Sequence, residues 1–107
     1  MKKNLSIAIV KPSSSIGYRN LRYMRFPPLG GLLLTAFLRK NGYKTRFIDL
    51  DFEKFNPKNY DVVLISMLTF EAPEGYKLAD KCKKLGIPVI GGGYHATFNP
   101  EEARKHF

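Results

Sequence analysis

Four short apolar runs constrain this chain more than any other feature: Leu5 to Val10 (LSIAIV), Lys44 to Leu50 (KTRFIDL), Asp61 to Ser66 (DVVLIS) and Val89 to Gly91 (VIG). Each has the length and β-branched content of a strand, and near-continuous apolarity is what a parallel sheet covered on both faces demands. Two intervals between them carry helical spacing. After Pro28, residues Leu29, Leu32, Leu33, Ala36 and Phe37 recur on one stripe, widened by Leu34 and Leu38, and Asn41-Gly42 supplies a left-handed stop. This helix is expected to be largely buried. Between Ala72 and Leu85, residues Tyr76, Ala79, Cys82 and Leu85 share a face, with Pro73 suited to a first turn and Gly86 and Pro88 closing the segment. A last helix is expected from Asn99-Pro100-Glu101-Glu102, where Asn99 is the capping residue and the two carboxylates face the positive helix end. His106 falls in that helix and is expected at the surface.

The order β-α-β-β-α-β-α, with Asp51 to Tyr60 as a helix-free crossover, predicts an α/β fold: a flavodoxin-like (Rossmann-like) open parallel sheet of strand order 2-1-3-4. At 107 residues there is room for one core, so residues 1–107 form a single domain. Folds of this type usually add a fifth strand and closing helix, and the chain is therefore expected to be a piece of a longer protein.

Charge and cysteine content narrow the function classes. Eighteen basic residues against nine acidic ones leave a net charge of +9. Lysines scattered over solvated helix faces, or a face meeting an acidic neighbouring domain, account for that total, and nucleic acid is not the expected partner. Cys82 is the single cysteine, which excludes a disulfide framework, a CxxC zinc pair and an iron–sulfur nest within this chain. The LSIAIV run is shorter than a signal-peptide core or a membrane span, so no membrane association and a cytoplasmic location are expected.

In an open parallel sheet, ligands bind beyond the carboxyl ends of the strands where strand order reverses. Three loops meet there: Lys11 to Pro27, Met67 to Ala72, and Gly91 to Phe98. The first is long for such a connection and interleaves Arg19, Arg22 and Arg25 with Tyr18, Tyr23 and Phe26, a pattern that either grips a flat anionic ligand or tucks its aromatics against the sheet. Gly91-Gly92-Gly93 is not a GxGxxG fingerprint, and no GxxxxGK[ST] loop occurs, so nucleotide hydrolysis has no support. Three glycines let a large ligand lie against bare main chain, or simply make a tight turn.

Taken together, these residues resemble the cobalamin-binding domain found at the amino end of cobalamin-dependent radical S-adenosylmethionine proteins. The resemblance covers nearly the whole chain. It rests on Pro27-Pro28-Leu29-Gly30 opening the first helix, Leu38-Arg39-Lys40-Asn41-Gly42-Tyr43 closing it, Ile48-Asp49-Leu50, Asp61 to Ser66, and Gly86-Ile87-Pro88-Val89 leading to Gly92-Gly93-Tyr94-His95-Ala96-Thr97. Of the three signatures of methionine-synthase-type cobalamin domains, two are present: Ser66-Met67-Leu68 fits SxL and Gly91-Gly92-Gly93 fits the glycine pair. The third, DxHxxG, is broken. Aligning its glycine on Gly17 puts Pro12 at the aspartate and Ser14 at the cobalt-ligating histidine, so the first loop offers no imidazole ligand.

The resemblance implies a groove for a detached cobalamin tail, with Ser66 meeting the tail's base, Leu68 and Thr69 flanking the channel, Gly91, Gly92 and Gly93 leaving it open, and Ser13 and Ser14 at the first loop. Arg19, Arg22 or Arg25 would meet the tail phosphate or corrin amides. For His95 three roles stay open: a bond to a corrin amide, approach to cobalt, or ordering of the turn. No protein metal ligand and no catalytic residue is assigned. The resemblance further implies a carboxyl-terminal radical S-adenosylmethionine domain, bringing S-adenosylmethionine and a 4Fe-4S cluster, as partner in methyl transfer or radical rearrangement, this chain alone being non-catalytic. Two rivals remain: a flavin- or nucleotide-binding flavodoxin-like domain with phosphate at Ser13-Ser14-Ser15, and a ligand-free interaction module.

Overall fold

In the computed structural model, which describes residues 4–13 and 29–107, the four expected strands lie side by side and pair in parallel. They are β1 (Ser6–Lys11), β2 (Lys44–Asp49), β3 (Val62–Ser66) and β4 (Val89–Gly92), in the order β2-β1-β3-β4 expected of the flavodoxin-like sheet. Register sets the faces. Ile9 pairs with Phe47 and Leu64, and Val10 with Ile48 and Ile65, so one side of the pleat carries Ile7, Ile9, Phe47 and Leu64 while the other carries Ala8, Val10, Val63 and Ile65.

The second face is closed by α2 (Ala72–Lys84), whose Ala72, Ala79 and Cys82 join Ala8, Val10, Ile48, Val63, Ile65 and Met67 in the core. Small residues on α2 let the helix settle close to branched strand side chains, which is how so short a chain fills its interior. Cys82 has no exposed surface and burial pushes its thiol above the ordinary range. Native protein is accordingly expected to resist thiol reagents, with Cys82 reacting only as the chain unfolds. Rapid labelling under native conditions would mean that α2 opens locally.

Helix α1 (Leu29–Lys40) lies on the opposite face, and here the structure corrects the expectation of a largely buried helix. Its buried residues are Gly31 and Thr35, and a Cβ at Gly31 would stand 2.7 Å from Phe47 Cε1, so the helix meets β2 through its smallest side. The leucine stripe points elsewhere. Leu33 and Phe37 are each 61% exposed, and on the same face of the sheet Ile90 is exposed too. Apolar residues occur all round α1, so periodicity alone did not identify which side the sheet would take. The helix stops as expected, at Gly42 with φ 89°. The β2–β3 crossover contains only a short 3-10 turn, Pro57–Asn59, with the Asn56 carboxamide accepting from Lys58 N at 3.1 Å.

After β4 the chain forms two short helices, α3 (Gly93–Phe98) and α4 (Pro100–Ala103). The loop expected over Gly91 to Phe98 is helical from Gly93 onward. Asn99 was expected to cap α4, but its side chain instead donates to the His95 carbonyl at 3.1 Å, satisfying the end of α3. His106 is also corrected, being half-buried: its ring stacks on Tyr76 with centroids 4.0 Å apart, and Nδ1 lies 3.0 Å from Asp80 Oδ1. Among the described residues no helix is long and apolar enough to cross a membrane.

Candidate functional site

Strand order reverses between β1 and β3, because α1 leads from β1 to β2 on one side and the chain then returns to β3 on the other. Beyond the carboxyl ends of these two strands lies a cleft of about 570 Å³, walled by the first turn of α1, the residues after β3, and α3. That position is where the open-sheet rule places a ligand. The volume suits a small-molecule or cofactor segment.

Of the residues singled out by sequence, Ser66, Leu68 and Gly93 line this cleft. Gly93 has φ 85°, and a Cβ there would fall 2.7 Å from Met67 N, 2.8 Å from Met67 O and 3.1 Å from Ser66 Oγ. Only glycine fits. The close approach is held by two hydrogen bonds, Met67 N to Gly92 O at 3.2 Å and His95 N to Met67 O at 3.2 Å, which bind the start of α3 to the end of β3. Gly92 is extended, with open space where a side chain would stand. Gly91 faces inward, and a Cβ there would meet the Phe107 ring at 2.7 Å, so its vacant volume is filled by the chain's own aromatic. Ser13 stands at the exit of β1, half-buried. Ser14, Arg19, Arg22 and Arg25 lie outside the described residues.

Thr69 and His95 come together beside the cleft, not in its lining. His95 is buried, with Nδ1 3.2 Å from Thr69 Oγ1 and Nε2 2.6 Å from Glu102 Oε2, while the Tyr76 hydroxyl donates to the same Glu102 oxygen at 2.6 Å. Hydrogen bonds from Tyr76, then His95, hold the Glu102 carboxyl below its ordinary range. An ionised carboxylate only accepts, so Nε2 carries the proton and, in the neutral ring, Nδ1 accepts from Thr69. Both ring nitrogens are thus engaged. His95→Ala is expected to cost about 1–2 kcal/mol of stability, read from urea unfolding, by freeing α3 from Thr69 and α4. The visible bands of bound corrinoid should keep their positions; a shift would make the ring a cobalt ligand.

Sequence reading missed a half-buried charge cluster at the floor, of which Glu71 is the buried member. Lys11 Nζ is 2.7 Å from Glu71 Oε2, 3.1 Å from Asp51 Oδ2 and 3.8 Å from Asp49 Oδ1, and it also donates to Pro12 O at 3.3 Å. Glu71, 2% exposed, uses its other oxygen to accept from Leu68 N at 2.9 Å. Its contact with Lys11 is a short ion pair rather than a well-directed hydrogen bond, and Asp51 Oδ1 has no hydrogen-bond partner among the described residues. Burial lowers the Lys11 pKa, but the Glu71, Asp51 and Asp49 carboxylates outweigh it and leave the ammonium more firmly protonated than an ordinary lysine. One signal was available: Lys11 and Asp49 end adjacent strands and pair in register.

A family model described as the B12 binding domain matches residues 18–107. The chain belongs to the B12-binding domain family. Cobalamin is therefore the cofactor of this domain, as the SxL and glycine signatures implied. Two curated relatives from Chlorobaculum tepidum are similar to it. Bacteriochlorophyllide d C-8(2)-methyltransferase is 44% identical over 64 residues, covering 55% of this chain and 14% of that protein. Bacteriochlorophyllide d C-12(1)-methyltransferase is 32% identical over 78 residues, covering 70% of this chain and 17% of that protein. The B12-binding domain thus spans less than a fifth of either relative. No solved structure matches it.

The residues present fit the group. The cleft offers a long, mainly apolar wall, a hydroxyl at Ser66, and main chain at Gly93 that comes close to β3 because it lacks a Cβ. Exposed Leu68, Tyr94 and Phe98 form its lip, apolar surface that water alone would leave unfavourably hydrated.

Proposed function

We propose that this B12-binding domain is the corrinoid-holding part of a longer radical S-adenosylmethionine protein that transfers methyl groups, with S-adenosylmethionine and a 4Fe-4S cluster supplied by a further domain. Bound cobalamin supplies the cobalt chemistry for group transfer. This chain's own residues bind and orient. In this reading Ser66 meets the base of the detached tail, Leu68 and Gly93 bound its channel, and Gly92 keeps the end of β4 open. Thr69 and His95 act one layer behind, holding the turn after β3 against α3. Ser13 and Ser14 belong to the first-loop side of the same groove.

The observation that carries the reading is the cleft itself: a strand-end slot at the reversal of strand order, with SxL on one wall and the glycine pair closing against it. Two facts support a larger protein. Both methyltransferase relatives are far longer than the part matched here. In addition, α1 presents Leu29, Leu33 and Phe37 to solvent, an apolar surface of the kind that a neighbouring domain covers.

The rival flavin reading puts the ligand phosphate at Ser13-Ser14-Ser15, of which only Ser13 lies within the described residues. Among the described lining residues the only lysine is Lys11, already committed to three carboxylates. Separate titrations with hydroxocobalamin and flavin mononucleotide, followed in the visible spectrum, decide between them. A tail-detached cobalamin spectrum that is lost in Ser66→Leu, which fills the slot, is the expected result. Flavin binding without cobalamin binding would reverse the assignment, and binding of neither would favour an interaction module.

A further inference from the structure

The Lys11 cluster lies in the cleft that the cobalamin reading assigns to the cofactor, and the following rests on that reading. Lys11 and Glu71 both line the cleft, whereas Asp49 and Asp51 stand behind Lys11 at the end of β2 and the turn after it. Among the described residues one ammonium faces three carboxylates, which together are formally negative by two despite a chain that is strongly basic overall. A buried group surrounded by protein is poorly screened by salt and water, so this excess acts on any charged atom a ligand brings near it.

We infer that Glu71 is a specificity-determining residue of the cleft: with Lys11 neutralised by its neighbours, the Glu71 carboxylate turns phosphate-bearing groups away from the floor and leaves it to uncharged parts of a corrinoid. Glu71 is suited to this because it is fixed at both oxygens, one by Lys11 and one by the Leu68 amide at the cleft lip. Its charge is thereby held in place. The negative floor also separates ligands that share a flavodoxin-like fold, since a flavin phosphate carries more negative charge than the phosphodiester of a cobalamin tail, and a corrinoid without its nucleotide carries none there. Selectivity of this sort comes from repelling the wrong guest.

The test uses the 107-residue chain with three probes: hydroxocobalamin, dicyanocobinamide, which lacks the nucleotide tail, and flavin mononucleotide. Glu71→Gln removes one charge while its carbonyl can still accept from Leu68 N. It is expected to tighten flavin mononucleotide by about three- to tenfold, hydroxocobalamin by less, and to leave dicyanocobinamide unchanged. Asp51→Asn, which removes charge from the same cluster behind the lining, is expected to act in the same direction more weakly, and stands in if Glu71→Gln does not fold.

A purely structural role would weaken all three probes together, and that result overturns the inference. So does equal affinity of wild type and both variants for flavin mononucleotide and hydroxocobalamin. If the wild type binds neither corrinoid, the cobalamin reading itself fails, a result distinguishable from the others because it does not involve the variants.

Discussion

Gly93→Ala is expected to destabilise the domain by about 2–4 kcal/mol and to abolish corrinoid binding, under conditions where Gly92→Ala leaves stability unchanged. Two costs add at Gly93. Its φ of 85° lies in the left-handed region, where a side chain costs about 1–2 kcal/mol. The new Cβ would also stand 2.7 Å from Met67 N and 2.8 Å from Met67 O, both main-chain atoms that no rotamer change can move. Relief requires α3 to draw back from β3, and that breaks the bonds from Met67 N to Gly92 O and from His95 N to Met67 O. The same movement shifts Ser66, 3.1 Å from the added atom, and so reshapes the slot wall. Gly92, one residue earlier, is extended with open space around it, so alanine there meets nothing. Urea unfolding of both variants, paired with hydroxocobalamin titration, checks the contrast. Equal behaviour of the two would show that the turn has freedom enough to absorb the clash, and would remove the close approach of α3 to β3 as the basis of the cleft.

The strand order and both long helices were legible because each rests on a local signal: short apolar runs, helical stripes, and stops at Asn41-Gly42 and Gly86. Family membership was legible for a different reason, since SxL and the glycine pair sit at fixed strand ends whatever the intervening sequence. What escaped is tertiary. α1 is apolar on every side, and only the contact of Gly31 with Phe47 reveals which side faces the sheet. α3 is six residues long and begins where Met67, twenty-six positions before Gly93, offers its main chain, a partner that no window around the glycines contains. Asn99 has the residue type of a cap, but its side chain joins its own main-chain N–H on the His95 carbonyl and makes no bond to an α4 amide. The Lys11 cluster draws on the ends of three separate segments, and becomes visible only when the 2-1-3-4 order is combined with the polarity of residues ending adjacent strands.

That cluster yields the second large expected effect. Lys11→Met should cost about 3 kcal/mol near neutral pH, at the low end of what removing one partner of a buried ion pair costs, because the lysine side chain retains 16% exposure and methionine keeps its packing. Left behind are Glu71, Asp51 and Asp49 with, among the described residues, no cation between them. Adding Asp51→Asn should restore about 1 kcal/mol, since it removes a carboxylate whose Oδ1 lacks a hydrogen-bond partner among the described residues, and the restoration measures coupling inside the cluster. The pH dependence has a definite sign. Lys11 is raised above its ordinary value of 10.5, so its contribution is complete below that value and lost as pH climbs through the higher folded value. Tyr76, whose phenol burial and then Glu102 push upward, loses its contribution in the same direction above its ordinary value of 10.0. Wild-type stability should therefore fall on the alkaline side with both groups contributing, and Lys11→Met should show a shallower fall carried by Tyr76. Unfolding midpoints in urea between pH 7 and about pH 11 separate the cases. A loss below about 0.5 kcal/mol at neutral pH, with an alkaline limb matching the wild type, would mean that water already screens the ammonium, as it does at a surface pair. The floor of the cleft would then carry too little field to select among ligands.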